Sequence, residues 1–370
     1  FLKTKVLNKY LNMDLEKIFK KKKILITGHT GFKGSWLTLF LLKYNANILG
    51  ISDKVLKYPN NFKTIKKNKN LKNSFLNIQN FNKVKKAINN FKPDFIFHLA
   101  AQSLVKTSYD NPSDTFLTNS IGTMNILETL KTYKRKCIVV IITSDKSYKN
   151  FEIKRGYKEN DLLGGKDPYS ASKASAELII QSYIDSYFNK KNNKILISIA
   201  RAGNVIGGGD WAKDRLIPDC IKSWSIKKKV IIRNPRSTRP WQHVFEVIRG
   251  YLYLASNLYL NKKIHGEAFN FGPNHKKNYS VYDVIKIFKK KWINASWKII
   301  KNKKFFESNL LKLNCTKAKT KLKFSGTLSF YQTVRFTAEW YNEFYKKRSN
   351  IYQYSIDQIK NYEKIINKKR

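Results

Sequence analysis

The sequence KILITGHTGFKG, residues 23–34, decides the fold of this chain. A short apolar run is followed at once by glycines at positions 28, 31 and 34, and then by a helical pattern. Glycine permits a tight turn and a close backbone approach to a pyrophosphate, and free N–H groups at a helix start attract phosphate. A glycine triplet alone also fits an ordinary turn, but between a first strand and a first helix it predicts a nucleotide-cofactor site. The residues predicted to bind the cofactor here are Gly28, Thr30, Gly31, Phe32, Lys33 and Gly34.

Alternating strand and helix patterns surround this loop. Predicted strands cover Ile24–Thr27, Asn47–Ser52, Ser74–Ile78, Asp94–Ala100, Cys137–Thr143 and Ile195–Arg201. Helical patterns between them cover Ser35–Tyr44, Asn82–Asn90, Asn119–Tyr133 and Ser170–Tyr187. Runs that are apolar throughout, such as CIVVIIT at 137–143, suit parallel strands covered on both faces. The chain is therefore predicted to be an α/β protein with a Rossmann-type, doubly wound parallel sheet.

The pattern becomes irregular after residue 203, where Gly, Pro and Trp are frequent. A strand at 267–271 and helices at 281–291 and 327–346 follow, which predicts a smaller C-terminal domain interleaved with the first. The expected segments are an N-terminal extension at 1–20, the cofactor domain at 21–203 with 241–272 returning to it, the second domain at 204–240 and 273–348, and a basic C-terminal tail at 349–370. The Lys- and Asn-rich stretch 58–73 is predicted to be an exposed loop.

The net charge of +48 first suggests a nucleic-acid partner. The 73 basic residues comprise 62 Lys and 11 Arg, however, and the Lys are spread over the whole chain. Zinc-finger spacing and RNA-recognition signatures are absent from the sequence. We therefore expect a lysine-rich solvated surface and no nucleic acid, with a basic nucleic-acid-binding protein on a Rossmann scaffold as the alternative.

Other compositional features narrow the class further. No apolar run reaches the roughly 18–20 residues of a membrane-spanning helix, and the sequence lacks a signal-peptide pattern. Its three Cys lie far apart without a CxxC pair, so we expect no metal site and no disulfide scaffold. A reducing compartment fits this cysteine usage, and we expect a cytoplasmic protein without a membrane partner.

The sequence DPYSASK, residues 167–173, contains a tyrosine and a lysine four positions apart. On a helix these two side chains share a face. A phenol with a pKa of about 10 is a poor base at neutral pH, but a nearby ammonium favours the phenolate. A YxxxK pattern is common by chance. Downstream of the glycine loop it predicts a catalytic pair, Tyr169 and Lys173.

The sequence TSDK, residues 143–146, ends a predicted buried strand. Doubly wound sheets place their ligands at the carboxyl ends of strands. Ser144 is predicted to hydrogen-bond a substrate hydroxyl, and Asp145 and Lys146 to act as acid and base. The alternative for the last two is a surface ion pair. Asp53, at the end of the second strand, is predicted to accept hydrogen bonds from a ribose, which favours NAD over NADP; a simple loop carboxylate is the alternative.

Together these residues resemble the CDP-glucose 4,6-dehydratases, which are extended short-chain dehydrogenases/reductases of the NAD-dependent epimerase/dehydratase family. The resemblance runs from about residue 20 to about residue 346. It is carried by TGHTGFKGSW (27–36), HLAAQSLV (98–105), TSDKSY (143–148), GGKDPYSASK (164–173), RAGNVIGGGDWAKDRLIPD (201–219), RPWQHV (239–244) and NFGP (270–273). Related dTDP-glucose and GDP-mannose dehydratases typically have Asp-Glu where this chain has Asp145-Lys146.

The resemblance implies a hydro-lyase that converts CDP-glucose to CDP-4-dehydro-6-deoxy-D-glucose, as a step of deoxysugar synthesis for surface polysaccharide such as lipopolysaccharide O-antigen. Tyr169 takes the proton of the C4 hydroxyl as C4 is oxidised by NAD. Lys146, assigned as the base, removes the C5 proton, Asp145 protonates the departing C6 hydroxyl, and C6 is then reduced. The second domain is implied to bind the nucleotide sugar, and the protein to be a homodimer or a dimer of dimers.

The resemblance also implies roles for other residues. Cofactor contacts are implied for Asn77, Ile78, Leu99, Ala100, Ala101, Gln102, Asn119 and Thr143. Substrate contacts are implied for His98, Ser144, Asn204, Arg215, Arg233, Arg239 and His243. Asn77 departs from the family, where an Asp is common, and the stretch 58–73 has no clear counterpart. A dehydratase or 4-epimerase of a dTDP-, UDP- or GDP-sugar is the nearest alternative.

Overall fold

The computed structural model describes residues 14–190, 192–274, 277, 279–292, 294–300, 311–346 and 350–369. Its strands are β1 Lys23–Thr27, β2 Asn47–Ser52, β3 Leu71–Phe75, β4 Phe95–His98, β5 Cys137–Ile142, β6 Ile195–Ala202, β7 Val205–Ile206, β8 Val230–Ile232, β9 Thr238–Arg239, β10 Gln242–His243, β11 Ala268–Phe271, β12 Tyr279–Ser280 and β13 Trp297–Ile299. Its α-helices are α1 Leu15–Phe19, α2 Phe32–Lys43, α3 Phe81–Phe91, α4 Val105–Asp110, α5 Pro112–Phe116, α6 Gly122–Lys131, α7 Pro168–Tyr183, α8 Leu216–Ser225, α9 Val244–Leu260, α10 Val281–Lys291, α11 Thr316–Lys321, α12 Phe330–Tyr345 and α13 Ile351–Lys368.

Seven parallel strands form the central sheet in the order β3-β2-β1-β4-β5-β6-β11. The central strands β4, β5 and β6 are buried along their whole length, as their apolar sequences require. This sheet confirms the predicted Rossmann-type fold. The strand order reverses between β1 and β4, and in doubly wound sheets the carboxyl ends of the strands at such a point form the crevice that binds the ligand.

Helices cover both faces of the sheet. On one face α2 and α9 pack against the strands, with the Trp36 and Phe245 rings 4.8 Å apart. On the other face α3, α6 and α7 bury Val84, Ile126 and Ile180. Helix α9 is buried on nearly every side because it lies between the sheet and the C-terminal helices.

Short strand pairs mark the region after β6. Strands β7 and β10 pair in parallel, β9 pairs with β12 antiparallel, and β8 pairs with β13 in parallel. Helix α10 packs on α12 beside them. Strand β11 follows α9 and returns to the edge of the main sheet next to β6. The chain therefore passes back and forth between the sheet and this smaller region.

The two chain ends depart from the expected segments. Residues 1–13 of the predicted extension lie outside the described residues, but Phe19 is fully buried, with its ring 5.1 Å from that of Phe95. The predicted basic tail is instead helix α13. Its Tyr362 hydroxyl accepts a hydrogen bond from Arg249 Nε at 2.9 Å, and its Glu363 pairs with Lys43 at 2.8 Å. Apolar residues at helical spacing in α13 are buried against the rest of the chain. The many charged residues of this segment hid that pattern in the sequence.

The stretch 58–73 also differs from the exposed loop that was predicted. Asn60 and Asn61 are buried, and Asn61 Nδ2 donates to Ser35 Oγ at 2.8 Å. Strand β3 begins at Leu71 and ends at Phe75, three residues before the end of the predicted strand. This strand lies at the sheet edge and pairs with β2 alone. Because an edge strand is partly solvated, its sequence is polar and lacks the apolar run that would mark where the strand begins and ends.

None of the helices in the described part of the chain is long and apolar enough to span a bilayer. Within the same residues, His, Cys, Asp and Glu side chains form no group of three or more that could hold a metal ion. The three cysteines are free thiols.

Candidate active site

The turn between β1 and α2 is packed so tightly that only glycine fits. Gly28 has a φ of +74°, and its N–H donates to the Ile51 carbonyl at 2.7 Å. A Cβ at Gly28 would stand 2.7 Å from the Ala100 nitrogen, and one at Gly34 would overlap the Gly28 carbonyl. Helix α2 begins directly after this turn, and its first N–H groups have no partner within the helix. Such a turn can cradle a pyrophosphate.

The second strand supplies the next predicted cofactor residues. Thr30 is buried, and its hydroxyl donates to the Lys54 carbonyl at 2.8 Å, which ties the glycine turn to the end of β2. Asp53 is exposed at this end of β2 and pairs with Lys54 at 3.8 Å. Asn77 is exposed, and its side chain accepts from the Gln79 N–H at 2.9 Å. The Asn77 amide oxygen thus stabilises a local turn, and the predicted contact of Asp53 with a ribose stays a prediction.

The chain after β4 is held by Asn119. Its side-chain oxygen accepts from the Gln102 N–H at 2.8 Å, and its Nδ2 donates to the Gln102 carbonyl at 3.0 Å and to Ser172 Oγ at 2.8 Å. Asn119 lies on a π-helical turn, Leu117–Ile121, between α5 and α6. The predicted cofactor residues 99–102 are half-buried beside it. Asn119 therefore links this loop to the helix that carries Tyr169 and Lys173.

Four predicted catalytic residues lie together and are buried. Ser144, Asp145, Tyr169 and Lys173 are each at most 8% exposed. The Tyr169 phenol is hydrogen-bonded to Ser144, whose Oγ donates to Asp145 Oδ1 at 3.0 Å. Asp145 Oδ2 is buried and has no hydrogen-bond partner among the described residues. A Cβ on Gly203 would overlap this carboxylate, so the glycine makes room for it.

The charges around these residues shift their pKa values. Burial, together with the positive charge of Lys33, lowers the pKa of Lys173 to about 7, and Glu177 partly offsets this. Burial also lowers the pKa of Lys33 to about 8, with Arg215 adding to the effect. Burial and the Asp145 charge raise the pKa of Tyr169, and the Ser144 hydrogen bond opposes this rise. The tyrosine therefore depends on nearby cations and donors to lose its proton.

Lys146 lies on a short 3-10 helix, Asp145–Ser147, directly after β5. Its N–H donates to Ser144 Oγ at 3.2 Å, and the residue is half-buried. The side chain of Ser144 thus caps the helix that carries both predicted acid–base groups. The Asp145 carboxylate and the Lys146 ammonium therefore belong to the first two residues of this 3-10 helix.

Arg215 reaches the same site from the segment before α8. Its Nη1 contacts Asp210 Oδ2 at 2.9 Å, and the Asp210 charge raises the pKa of Arg215. Its positive charge acts on both Tyr169 and Lys33. The long motif at 201–219 is therefore folded around the catalytic groups, and Asp210 holds its guanidinium in place.

The other predicted substrate residues are more dispersed. Asn204 follows Gly203 directly and has a φ of +38°. Arg239 is half-buried on β9, where its Nη1 donates to the Thr238 carbonyl at 2.9 Å. Arg233 is exposed, and its charge acts on Asp219 of α8. Asn204 is thus next to the catalytic groups, while the two arginines belong to the smaller region.

A model of the GDP-mannose 4,6 dehydratase family matches residues 25–337, most of the chain. The chain belongs to this family. The predicted family and enzyme class, a dehydratase, are thereby confirmed, and family membership does not favour the nucleic-acid-binding alternative.

Several relatives within and around this dehydratase family share most of the chain. A CDP-glucose 4,6-dehydratase of Salmonella typhimurium is 41% identical over 324 residues, which cover 86% of this chain and 90% of the relative. A dTDP-D-glucose 4,6-dehydratase of Dictyostelium discoideum is 30% identical, covering 68% of this chain and 58% of the relative. The solved structure of an epimerase of Methanothermobacter thermautotrophicus, 24% identical, superimposes with a TM-score of 0.79 over 91% of this chain and 98% of its own. A UDP-glucuronic acid 4-epimerase of Bacillus cereus, solved with UDP-glucuronic acid and NAD, is 25% identical with a TM-score of 0.74, covering 87% and 99%.

Two histidines predicted to contact the substrate are buried in this dehydratase. His98 is buried, and its ring nitrogens contact Thr27 Oγ1 at 2.7 Å and Thr123 Oγ1 at 3.0 Å. Burial lowers the pKa of His98 to about 3, so the ring is neutral. His243 is fully buried against Phe245, whose N–H it accepts at 3.3 Å. Both rings are thus covered and hydrogen-bonded within the fold, and their contact with the substrate stays a prediction.

Four residues that support the site were not among the predicted site residues. Glu177 and Arg201 form a buried ion pair, Tyr148 contacts Arg201, and Asp210 holds Arg215. Glu177 lies four positions after Lys173, on the same helix face, which is a signal that could have found it. Tyr148, Arg201 and Asp210 lie within the motifs at 143–148 and 201–219. A motif alone does not show whether a polar or charged side chain is buried or exposed.

Proposed function

We propose that this chain dehydrates CDP-glucose to CDP-4-dehydro-6-deoxy-D-glucose with NAD as its cofactor. The observation that carries the proposal is that a Tyr–Lys pair and the Asp145 carboxylate share one buried site, with Lys146 directly beside it. An epimerase needs only the oxidising pair, whereas an elimination also needs an acid and a base. The Salmonella relative, named as a CDP-glucose 4,6-dehydratase and 41% identical, supports the choice of nucleotide.

The residues present fit NAD. The glycine turn offers a close approach at Gly28, the start of α2 offers N–H groups, and Asp53 stands at the end of β2. Asn119 fixes the loop at 99–102 on the other side of the crevice. When bound, NAD accepts the hydrogen of the sugar C4 and returns it to C6.

The first step uses Tyr169 as the base. As a phenolate it accepts the proton of the C4 hydroxyl, while Ser144 hydrogen-bonds the same oxygen. Burial alone would keep the phenol protonated. The ammonium of Lys173 and the guanidinium of Arg215 favour the phenolate, so these two cations make Tyr169 usable near neutral pH.

The second step uses the residues that follow β5. Once C4 is a ketone, the C5 proton is acidic, and Lys146 removes it. Asp145 acts here in its protonated form: it gives its proton to the departing C6 hydroxyl, water leaves, and the carboxylate remains to be reprotonated before the next turnover. Asp145 Oδ2 suits this role because it is buried, has no partner among the described residues, and is accommodated by Gly203. Ser144 donates to Oδ1, so Oδ2, which lies beside Gly203, is the oxygen without a hydrogen-bond partner among the described residues.

The nucleotide diphosphate would be bound by Arg215 with Asn204 beside it. Arg215 is held by Asp210 near Tyr169, which places a bidentate phosphate ligand beside the sugar position. Arg239 and Arg233 belong to the smaller region and would contact the distal part of the nucleotide.

Two further features of the proposal concern assembly and setting. Exposed apolar side chains lie along α5, its π-helical continuation and α7, among them Phe116, Leu117 and Leu178. A second copy of the chain would cover them, which supports a homodimer or a dimer of dimers.

The product belongs to the 4-keto-6-deoxy sugars, so we place the enzyme in deoxysugar synthesis in the cytoplasm, for surface polysaccharide such as O-antigen.

The test is a panel of CDP-, dTDP-, UDP- and GDP-glucose with GDP-mannose, each incubated with the enzyme and NAD. The 4-keto product is read by its absorbance in alkali and by a mass loss of one water. We expect product from CDP-glucose. Product from another nucleotide sugar alone would refute the choice of CDP, and epimerised sugar without loss of water would refute the dehydratase assignment.

A further inference from the structure

Beneath the catalytic groups lies a buried ion pair between Glu177 and Arg201, whose side chains are 1% and 4% exposed. Arg201 Nε donates to both carboxylate oxygens at 2.9 Å, and Arg201 Nη2 donates to Glu177 Oε2. Thr143 Oγ1 donates to Glu177 Oε1 at 2.6 Å. Desolvating two charges is expensive, and similar apolar pairs are often as stable, so stability alone is a weak explanation.

Each group in this contact lies within four positions of a residue that carries or accommodates a catalytic side chain. Glu177 lies one helical turn after Lys173 on α7. Thr143 precedes Ser144 and Asp145 directly at the end of β5. Arg201 lies on β6, two residues before the glycine that accommodates the Asp145 carboxylate. The ion pair thus joins the three elements that must keep their relative position for both chemical steps.

The remaining N–H groups of Arg201 bind the part of the chain that follows Asp145 and Lys146. Arg201 Nη1 donates to the Tyr148 hydroxyl at 2.6 Å and to the Glu159 carbonyl at 2.8 Å. Tyr148 in turn donates to Asn270 Oδ1 at 2.8 Å. Tyr148 directly follows the 3-10 helix that carries Asp145 and Lys146. Both ends of this short helix are therefore attached to one ion pair.

Glu177 also acts on Lys173 through its charge. Lys33 at the start of α2 and His98 at the end of β4 face the ammonium of Lys173, and Tyr169 shares its helix. Burial and Lys33 lower the Lys173 pKa to about 7, while Glu177 raises it. Without the carboxylate, a larger share of Lys173 would be neutral at the pH where it is needed.

We infer that Glu177, paired with Arg201, is a positioning residue of the reaction: it fixes the Ser144–Asp145 segment against the Tyr–Lys helix and places a negative charge one helical turn from Lys173. This inference rests on the proposed function for its kinetic consequences. Its electrostatic consequence can be measured on the cofactor-free protein with no substrate.

The first test is Glu177→Gln, which keeps the shape and an oxygen that can accept from Thr143. Lysine ε-carbon NMR in cofactor-free protein follows the resonance that disappears in Lys173→Met. We expect its titration midpoint to fall by about one pH unit, and the rate of substrate oxidation at pH 8 to fall about tenfold, recovering at lower pH. An unmoved midpoint and an unmoved pH profile would overturn the inference.

The second test leaves the ion pair intact, in case Glu177→Gln folds poorly. Thr143→Val removes only the hydroxyl that links Glu177 to the Ser144–Asp145 segment. We expect slower elimination with an unchanged Lys173 titration, and Thr143→Ser should restore the rate. Normal elimination by Thr143→Val would contradict the positioning of the acid.

The matched control is Glu246→Gln, since Glu246 pairs with Arg249 at 3.5 Å in a buried position on α9. This variant should lower Tm. It should move neither the titration midpoint of Lys173 nor the midpoint of the pH–rate profile for substrate oxidation. If Glu177→Gln behaved like this control, the pair would be purely structural. If the titration moved as expected but no nucleotide sugar in the panel were dehydrated, the proposed function would fail while the electrostatic role of Glu177 stood.

Discussion

Substitution of Gly203 by alanine isolates the elimination step. Gly203 follows β6, and the Asp145 carboxylate occupies the space that a side chain would fill. The three atoms nearest to this Cβ position all belong to the Asp145 carboxyl group, and none belongs to Tyr169 or Lys173, which serve the oxidation. The variant should therefore move the acid while leaving the oxidising pair in place.

The size of the effect follows from the contact distances. A Cβ on Gly203 would stand 2.9 Å from Asp145 Oδ1 and closer still to Oδ2, whereas ordinary contacts begin at 3.4 Å. The carboxylate must retreat by roughly 1 Å, and a displacement of that size can cost about 100-fold in rate. We therefore expect product formation to fall about 100-fold, while oxidation at C4 keeps a rate within a few-fold of wild type.

Stopped-flow absorbance of reduced cofactor measures the oxidation, and quenched samples measure the 4-keto product. Gly203→Ala should accumulate reduced cofactor because return of hydrogen to C6 waits for elimination. The control is Gly272→Ala after β11, where the added Cβ would meet, among the described residues, only the Cys315 sulfur at 3.1 Å and the Leu313 Cβ at 3.9 Å. If Gly203→Ala made product as fast as this control, the placement of Asp145 against Gly203 would be wrong.

Three further outcomes are expected. Tyr169→Phe and Asp145→Asn should each lose product formation while still binding NAD in a titration, and near-normal turnover by either would refute its role. Burial lowers the Lys173 pKa from 10.5 to about 7, so the unfolded chain binds the proton more tightly and stability rises from pH 7 towards pH 10.5. Lys173→Met should remove this rise and increase Tm at pH 7, and a lower Tm with the slope retained would contradict it. Tyr362→Phe removes the hydroxyl that accepts from Arg249, and should cost about 1.5–3 kcal/mol in urea unfolding without a change in kcat; an unchanged midpoint would argue against this contact.

The sequence predicted the elements whose patterns depend on local chemistry. Runs such as 137–142 are apolar throughout because both faces of the central strands are covered, and these strands were located within one or two residues. The glycine turn was also located correctly from the sequence. Its glycines are spaced as they are because backbone atoms approach too closely at Gly28 and Gly34 for any side chain. Strand β3, by contrast, has a solvated edge, so its position was displaced by three residues.

The candidate site was predictable where a motif states its own chemistry, as with Tyr169 and Lys173. It was not predictable where burial decides the role. His98 and His243 lie in motifs near the crevice, but only the fold shows that their rings are covered. Glu177 and Arg201 look like ordinary surface charges among so many lysines, and their pairing depends on the distance between α7 and β6.

Helix α13 has a consequence for any shortened version of this protein. The family match ends at residue 337, inside α12, so a boundary drawn from it would discard α13 entirely. Such a truncation would leave the Arg249 guanidinium without its Tyr362 acceptor and would free Lys43 at the end of the cofactor-binding helix α2. A fragment for crystallisation or fusion should therefore extend through Lys368, and a purification tag at that end needs a spacer.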